Sequence, residues 1–404
     1  MRSSSSAFFF FSAAAGTSAW YARMADFRAC SNRAFINSTQ KRPRIIAAHT
    51  IQNIAVRLYR LIISLNADAL KRVSSFRSCS EYDTIWFRRF QNMINVLFVT
   101  PVTEDRKQEF ENMDGFSFVF KAAADVTEDD VKEADAILGN LPLSLIEKAP
   151  NLKWIQLNSA GANTYKDIRS DIILTNASGA YGEAISEHML GCVLMVLKNL
   201  ARYLEMQKSH DWENLGSVNT LSITKVLSVG MGDIGTSFAK KMNALGAEVC
   251  GVRRSIHDKP DYVKELYTME DLDRILPEFD VVALSLPETE ETVHLFDAKK
   301  LSLMKEGSIL VNVGRGSAIV TEDLIDAAKT GKFEGVCLDV TEQEPLPKNS
   351  PLWNIDRVYI TPHISGRFNA AVTYDRVLSI FKENLEHFRD GETMINVVDK
   401  RLGY

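Results

Sequence analysis

The sequence predicts an α/β protein with two doubly wound parallel-sheet domains, the larger of which carries a glycine-rich turn. Three observations predict it. From Met93 onward, short runs rich in Val, Ile and Leu alternate with helix-length stretches, the pattern of parallel strands covered on both faces. Two of these runs are joined through "VLSVGMGDIG" and the helical stretch that follows it. The chain has 404 residues, 46% hydrophobic and 25% charged, enough for more than one core.

Residues 1–92 stand apart. They hold 14 Lys and Arg against 4 Asp and Glu, and a single glycine, Gly16, within a chain whose net charge is −5. They open "MRSSSSAFFFFSAAAGTSA" and remain rich in Arg and Ser. Three readings stand: translation normally starting at Met93, an organelle transit peptide, or a secretory signal or accessory helix around "AVRLYRLIISL". The first is preferred, because "MINVLFVTP" places a methionine directly before a buried-strand pattern. Residues 1–92 are therefore expected to lie outside the fold.

The first α/β unit is read over residues 93–191, with strands at "NVLFVT", "ADAILG", "KWIQLN" and "IILTN", and closes with the chain's return over 367–404. "EAISEHMLGCVLMVLKNLARYLEMQ" reads as one long helix joining it to the second unit, 192–366. That unit has strands at "KVLSVG", "GAEVCGV", "DVVALSLP", "GSILVNVG", "GVCLDV" and "VYITPH".

Within "KVLSVGMGDIGTSFAKKMNALGAEVCGV", the glycines fall on a strand–turn–helix–strand unit. Gly230 permits the tight turn, Gly232 lets backbone approach a pyrophosphate, and Gly235 lets helix pack close on strand. Phosphates then meet free N–H groups at the helix N-terminus. This makes 192–366 a Rossmann dinucleotide-binding domain, with Gly230, Met231, Gly232, Asp233, Ile234 and Gly235 as cofactor contacts. The next strand of such a unit usually ends in an acid that holds the adenosine ribose 2′-hydroxyl. Here Arg253, Arg254 and Ser255 stand instead. Their donors suit a 2′-phosphate, so NADP is the preferred cofactor and NAD the alternative.

Three chemical residues follow strand C-termini of the same unit, the edge at which open α/β sheets bind ligands. Arg315 lies in "VNVGRGS", Glu344 in "LDVTEQEPLP" and His363 in "ITPHISG". Beside a nicotinamide, an Arg binds a substrate carboxylate and polarises the adjacent carbonyl. A His moves the hydroxyl proton, and a carboxylate orients that imidazole.

Residues 93–404 resemble the D-isomer-specific 2-hydroxyacid dehydrogenase family, close to its glyoxylate/hydroxypyruvate reductases. The match rests on "GMGDIG", "LPETEETVHLFDAKKLSLMKEGSILVNVGRGS", "GVCLDVTEQEPLPKNSPLW" and "ITPHISG". The resemblance implies Arg315, Glu344 and His363 as the catalytic set. It also implies Asp339 against the nicotinamide carboxamide, and Pro287 and Val313 among the cofactor contacts. "NSAGAN" matches the loop whose backbone receives the substrate carboxylate, giving Ala160, Gly161 and Ala162. Glu187 and His188 in "ISEHM" are read as structural. Two departures are Arg253 in place of the usual acid and a bulky Arg367 after "PHISG".

The resulting expectation is hydride transfer between a nicotinamide cofactor and a small D-2-hydroxy acid or 2-keto acid. The rival is a dinucleotide-sensing binding protein of the corepressor type. The acidic balance argues against nucleic acid as a partner, and no apolar run reaches membrane-spanning length. No metal site is expected. Cys30, Cys79, Cys192, Cys250 and Cys337 are scattered and read as small buried hydrophobes in a reducing compartment. The expected setting is a cytoplasmic homodimer, with the long helix as pairing surface and organelle import the alternative if residues 1–92 are a transit peptide.

Overall fold

The structure is a computed structural model describing residues 93–256, 258–366, 368 and 370–401, all within one compact unit. The expectations for residues 1–92 and for Arg367 fall outside the described residues.

Twelve strands are described: β1 Ile94–Phe98, β2 Phe116–Phe120, β3 Ala136–Leu138, β4 Trp154–Gln156, β5 Ile173–Thr175, β6 Lys225–Val229, β7 Glu248–Val252, β8 Leu266–Tyr267, β9 Val281–Leu284, β10 Ser308–Asn312, β11 Phe333–Leu338 and β12 Val358–Ile360. Among the described residues, the helices of eight residues or more are α1 Glu104–Glu111, α2 Gly182–Leu197, α3 Leu200–Ser209, α4 Asp233–Ala244, α5 Thr321–Lys329 and α6 Ala371–Asp390.

Every strand pairing is parallel. The smaller sheet runs β2-β1-β3-β4-β5 and the larger β12-β11-β10-β9-β6-β7-β8. Both are doubly wound, and their strand order reverses beside β1 and beside β6, where such sheets open crevices for ligands. Strands β9 and β10 are buried at every position, as expected of a sheet covered on both faces.

Helix α6 packs on the smaller sheet. Phe381 and Phe388 of α6 pack on Phe98 and Trp154, with ring centroids 5.7 and 5.1 Å apart. α6 ends at Gly391 in the left-handed region, where glycine carries no Cβ penalty.

Two expectations need correction. The long connecting helix is two helices, bent by 61°. α2 stops at Lys198, Asn199 adopts φ 54°, and α3 begins at Leu200. Asn tolerates the left-handed conformation better than other non-glycine residues, so the break falls there. The sheets are also larger than expected by β2 and β8. β8 is a two-residue edge strand, too short to leave a periodic signal.

Candidate active site

The glycine turn leads from β6 into α4. Gly230 has φ +98°, and a Cβ there would lie 2.8 Å from the Ser285 carbonyl oxygen. A Cβ on Gly235 would lie 1.8 Å from the Gly230 oxygen, so α4 can approach β6 only without one. A Cβ on Gly232 would meet nothing within 4 Å. The first turn of α4 therefore opens onto free space, as a bound pyrophosphate requires. Met231 is buried, with its side chain over Gly251. The Asp233 carboxylate accepts the Gly182 N–H at 2.7 Å, tying α4 to the start of α2. Arg253 is half-buried at the end of β7, its N–H donating to the Tyr267 carbonyl oxygen at 3.0 Å; Arg254 and Ser255 are exposed beside it. Val313 is buried at the end of β10, and Pro287 is exposed at the end of the β9 segment.

Arg315, Glu344 and His363 all stand beyond strand C-termini of the larger sheet. His363 Nδ1 lies 2.7 Å from Glu344 Oε2. The other Glu344 oxygen accepts the Thr341 N–H at 3.1 Å, which fixes the carboxylate's direction. His363 has φ +49°, a strained setting for a non-glycine residue. Its N–H donates to the Asp339 and Thr361 carbonyl oxygens at 2.8 and 2.9 Å, holding it there.

Asp339 organises this loop. Its carboxylate accepts from Thr361 Oγ1 at 2.6 Å, from the N–H groups of Ile364 and Ser365 at 3.0 and 3.1 Å, and from the Ser365 hydroxyl. Burial opposes its ionisation. The bonds from Ser365, Thr361 and Ile364 outweigh that cost and hold the carboxyl below the usual carboxylate range.

Arg315 reaches across to the smaller sheet's loop. A Cβ on Gly161 would lie 1.9 Å from Arg315 Nη2, so the guanidinium occupies the space glycine leaves. Arg315 Nη1 donates to the Gly314 carbonyl oxygen at 2.8 Å. The loop holding Ala160, Gly161 and Ala162 is braced from behind. Asn140 accepts the Asn158 N–H and donates to Ser159, whose hydroxyl donates to the Gly161 carbonyl oxygen. Ala162 is buried and Ala160 partly buried.

The sequence reading did not single out these supports, nor a second His–carboxylate pair beside them. His294 Nε2 lies 2.7 Å from Glu342 Oε1, and a Cβ on Gly316 would lie 1.9 Å from the Thr341 carbonyl carbon. The Arg315 turn and the Glu344 loop are thus packed on one another. Burial opposes ionisation of Glu342, but bonds from Thr321 and His294 keep it below the ordinary range. The signal available in the sequence was the residue pattern around Arg315 and Glu344 itself, "VHLF" and "TEQE". Among the described residues no group of His, Cys, Asp and Glu is arranged to hold a metal.

A dinucleotide fold with an Arg, a carboxylate and a His at one edge defines a nicotinamide-dependent oxidoreductase. The comparisons narrow this. The profile described as D-isomer specific 2-hydroxyacid dehydrogenase, NAD binding domain, matches residues 190–365. A glyoxylate reductase of Thermofilum pendens is 30% identical over 288 residues, 68% of this chain and 84% of that protein. The crystal structure of a D-isomer specific 2-hydroxyacid dehydrogenase family protein from Aeromonas salmonicida is 32% identical, with TM-score 0.69, over 76% of this chain and 99% of that one. A D-isomer specific 2-hydroxyacid dehydrogenase from Xanthobacter autotrophicus Py2, solved with NADPH and MES, is 27% identical with TM-score 0.69, over 77% of this chain and 100% of that one. The chain belongs to the D-isomer-specific 2-hydroxyacid dehydrogenase family and is an NAD(P)-dependent oxidoreductase of 2-hydroxy acids. These relatives lend no support to the corepressor reading.

Proposed function

We propose that this enzyme reduces a small 2-keto acid, of the size of glyoxylate or hydroxypyruvate, to the D-2-hydroxy acid, with NADPH preferred over NADH. The observation that carries the reading is the His363–Glu344 pair at 2.7 Å in one sheet's loops, with Arg315 against Gly161 of the other's. The Thermofilum pendens relative is named a glyoxylate reductase, and the Xanthobacter structure contains NADPH.

The backbone N–H groups of Ala160, Gly161 and Ala162 and the Arg315 guanidinium bind the substrate carboxylate. Arg315 also draws electron density from the neighbouring carbonyl. When bound, the nicotinamide supplies the hydride. His363 donates a proton from Nε2 to the carbonyl oxygen, while Glu344 on Nδ1 fixes the direction of the ring. Gly230 to Gly235, Pro287, Val313 and Asp339 line the cofactor's path, with Asp339 acting also through the His363 loop. Arg253, Arg254 and Ser255 meet the adenosine 2′-phosphate.

The proposed substrate domain is 93–191 with 367–404, and the cofactor domain 192–366. Helix α2 runs through the junction and packs on the cofactor side through Gly182, Ser186 and Val196. We assign a cytoplasmic homodimer, paired through the apolar side chains that α3 and the following segment expose, namely Leu204, Trp212 and Ile223. Among the described residues no single helix is long and apolar enough to cross a membrane.

The test is reduced-nicotinamide consumption with a panel of 2-keto acids, using NADPH and NADH in parallel, with chiral analysis of product. Turnover of none of them would overturn the reading. A higher kcat/KM with NADH would overturn the cofactor preference.

A further inference from the structure

Helix α2 lies over strand β11 in a register that leads to the active site. Val196 fills the space above Gly335, where a Cβ would lie 2.5 Å from its side chain. Four residues back along the helix, about 6 Å, stands Cys192, and two residues on along the strand, about 6.6 Å, stands Cys337. This register sets the two thiols beside one another, with His188 lining the same cavity. The same step repeated brings His188 toward Asp339. Thr361 Oγ1 lies 3.4 Å from His188 Nε2 and 2.6 Å from Asp339 Oδ1, so the ladder ends on the carboxylate that organises the His363 loop.

Cys192 is half-buried and Cys337 buried. Both line a cavity of about 560 Å³, together with His188, Met195, Trp353 and Thr361. The neighbouring Cys337 thiol, together with His188, holds Cys192 below the ordinary thiol range against the cost of burial. Cys337 is raised by the same contact and by burial. Cys192 is the more exposed of the two and is the sulfur a peroxide meets first, with the buried Cys337 as its resolving partner.

We propose that Cys192 and Cys337 form a peroxide-responsive dithiol that closes to a disulfide beside the active site. The Cys192 thiolate attacks the terminal oxygen of a hydroperoxide. The O–O bond breaks, an alkoxide or hydroxide leaves and takes a proton from water, and Cys192 becomes a sulfenic acid. The Cys337 sulfur then attacks the Cys192 sulfur. The S–S bond forms as the S–O bond breaks, and hydroxide leaves as water with the Cys337 proton. Two thiols lose two electrons, and the hydroperoxide is reduced to an alcohol, or water, plus water. Closure draws β11 toward α2 two residues before Asp339, which lowers turnover.

The test treats the full chain with hydrogen peroxide, blocks remaining thiols with iodoacetamide and maps the peptides. The expected result is a Cys192–Cys337 linked peptide, a mass lower by two hydrogens and reversal by dithiothreitol. Cys192→Ser, expected to keep basal activity, gives no link and leaves Cys337 reduced. Cys250, buried on β7 with its thiol pushed up by burial, is the internal comparison. Oxidation of Cys250 before the pair, or equal oxidation of Cys337 in Cys192→Ser, would overturn the dithiol. This mass readout does not depend on the reductase reading. A several-fold lower kcat in the oxidised enzyme, restored by dithiothreitol, is the expected effect on turnover, and an unchanged kcat would overturn the link to the Asp339 loop.

Discussion

Gly161→Ala is expected to disable turnover while leaving the fold intact. The added methyl would sit 1.9 Å from Arg315 Nη2 and 3.1 Å from Cζ, whereas ordinary contact begins near 3.4 Å. The guanidinium must therefore retreat by about 1.5 Å. Gly161 does not occupy the left-handed region, so its backbone accepts alanine without strain. The clash falls on the tip of a flexible side chain, and the stability cost should stay under about 1 kcal/mol. Catalysis is less tolerant, because a misplacement of about 1 Å in a positioned group can lower rate about 10²-fold. That corresponds to about 2.7 kcal/mol of barrier. The assay is kcat/KM for glyoxylate and hydroxypyruvate with NADPH, beside a thermal melt and an NADPH titration. Wild-type kcat/KM in a folded variant that binds NADPH would refute the placement of Arg315 in the substrate site.

His363→Asn should bind NADPH normally and lose about 10²–10⁴ in turnover, the usual share of proton transfer, as read by single-turnover kinetics and cofactor titration. Arg253→Asp should weaken NADPH by about 1.5–3 kcal/mol and NADH far less; an unmoved ratio of the two kcat/KM values would remove the phosphate role. Gly235→Ala places a methyl 1.8 Å from backbone that cannot swing aside, and differential scanning calorimetry should show a loss of about 1–3 kcal/mol or more. Asp339→Asn probes acid stability. A carboxyl depressed in the folded state contributes stability above its unfolded value, about 3.9, and loses it as pH falls through the folded value. The gap in Tm between wild type and variant should therefore be wide at pH 7 and close progressively below about pH 4.

The dinucleotide unit and the three loops proposed to be catalytic were legible because the chemistry proposed for them demands particular residues at strand ends. Gly230 and Gly235 fail for different steric reasons when a Cβ is added, whereas Gly232 leaves open space at the helix start, and each has a fixed place in the motif. The break at Asn199 was not legible, since "LKNLAR" continues the helical pattern in composition and only the backbone reveals the turn. Asp233 was read as a cofactor contact from its position in the motif; its carboxylate partner, Gly182, is 51 residues distant. The cysteines were read as separate because spacing along the chain shows none of their relation. A period of four on α2 meets a period of two on β11, and Val196 over Gly335 is needed to set the phase.

The Asp233–Gly182 hydrogen bond joins the helix end proposed to face the phosphates to the helix that connects the two sheets. Occupancy of the one and the angle of the other then belong to a single equilibrium. Whatever factor cofactor contributes to keto-acid affinity through this joint, keto acid must return to cofactor affinity, because a thermodynamic cycle has only one coupling free energy. The reciprocity is measurable: the factor by which NADPH tightens a dead-end keto-acid analogue should equal the factor by which that analogue tightens NADPH.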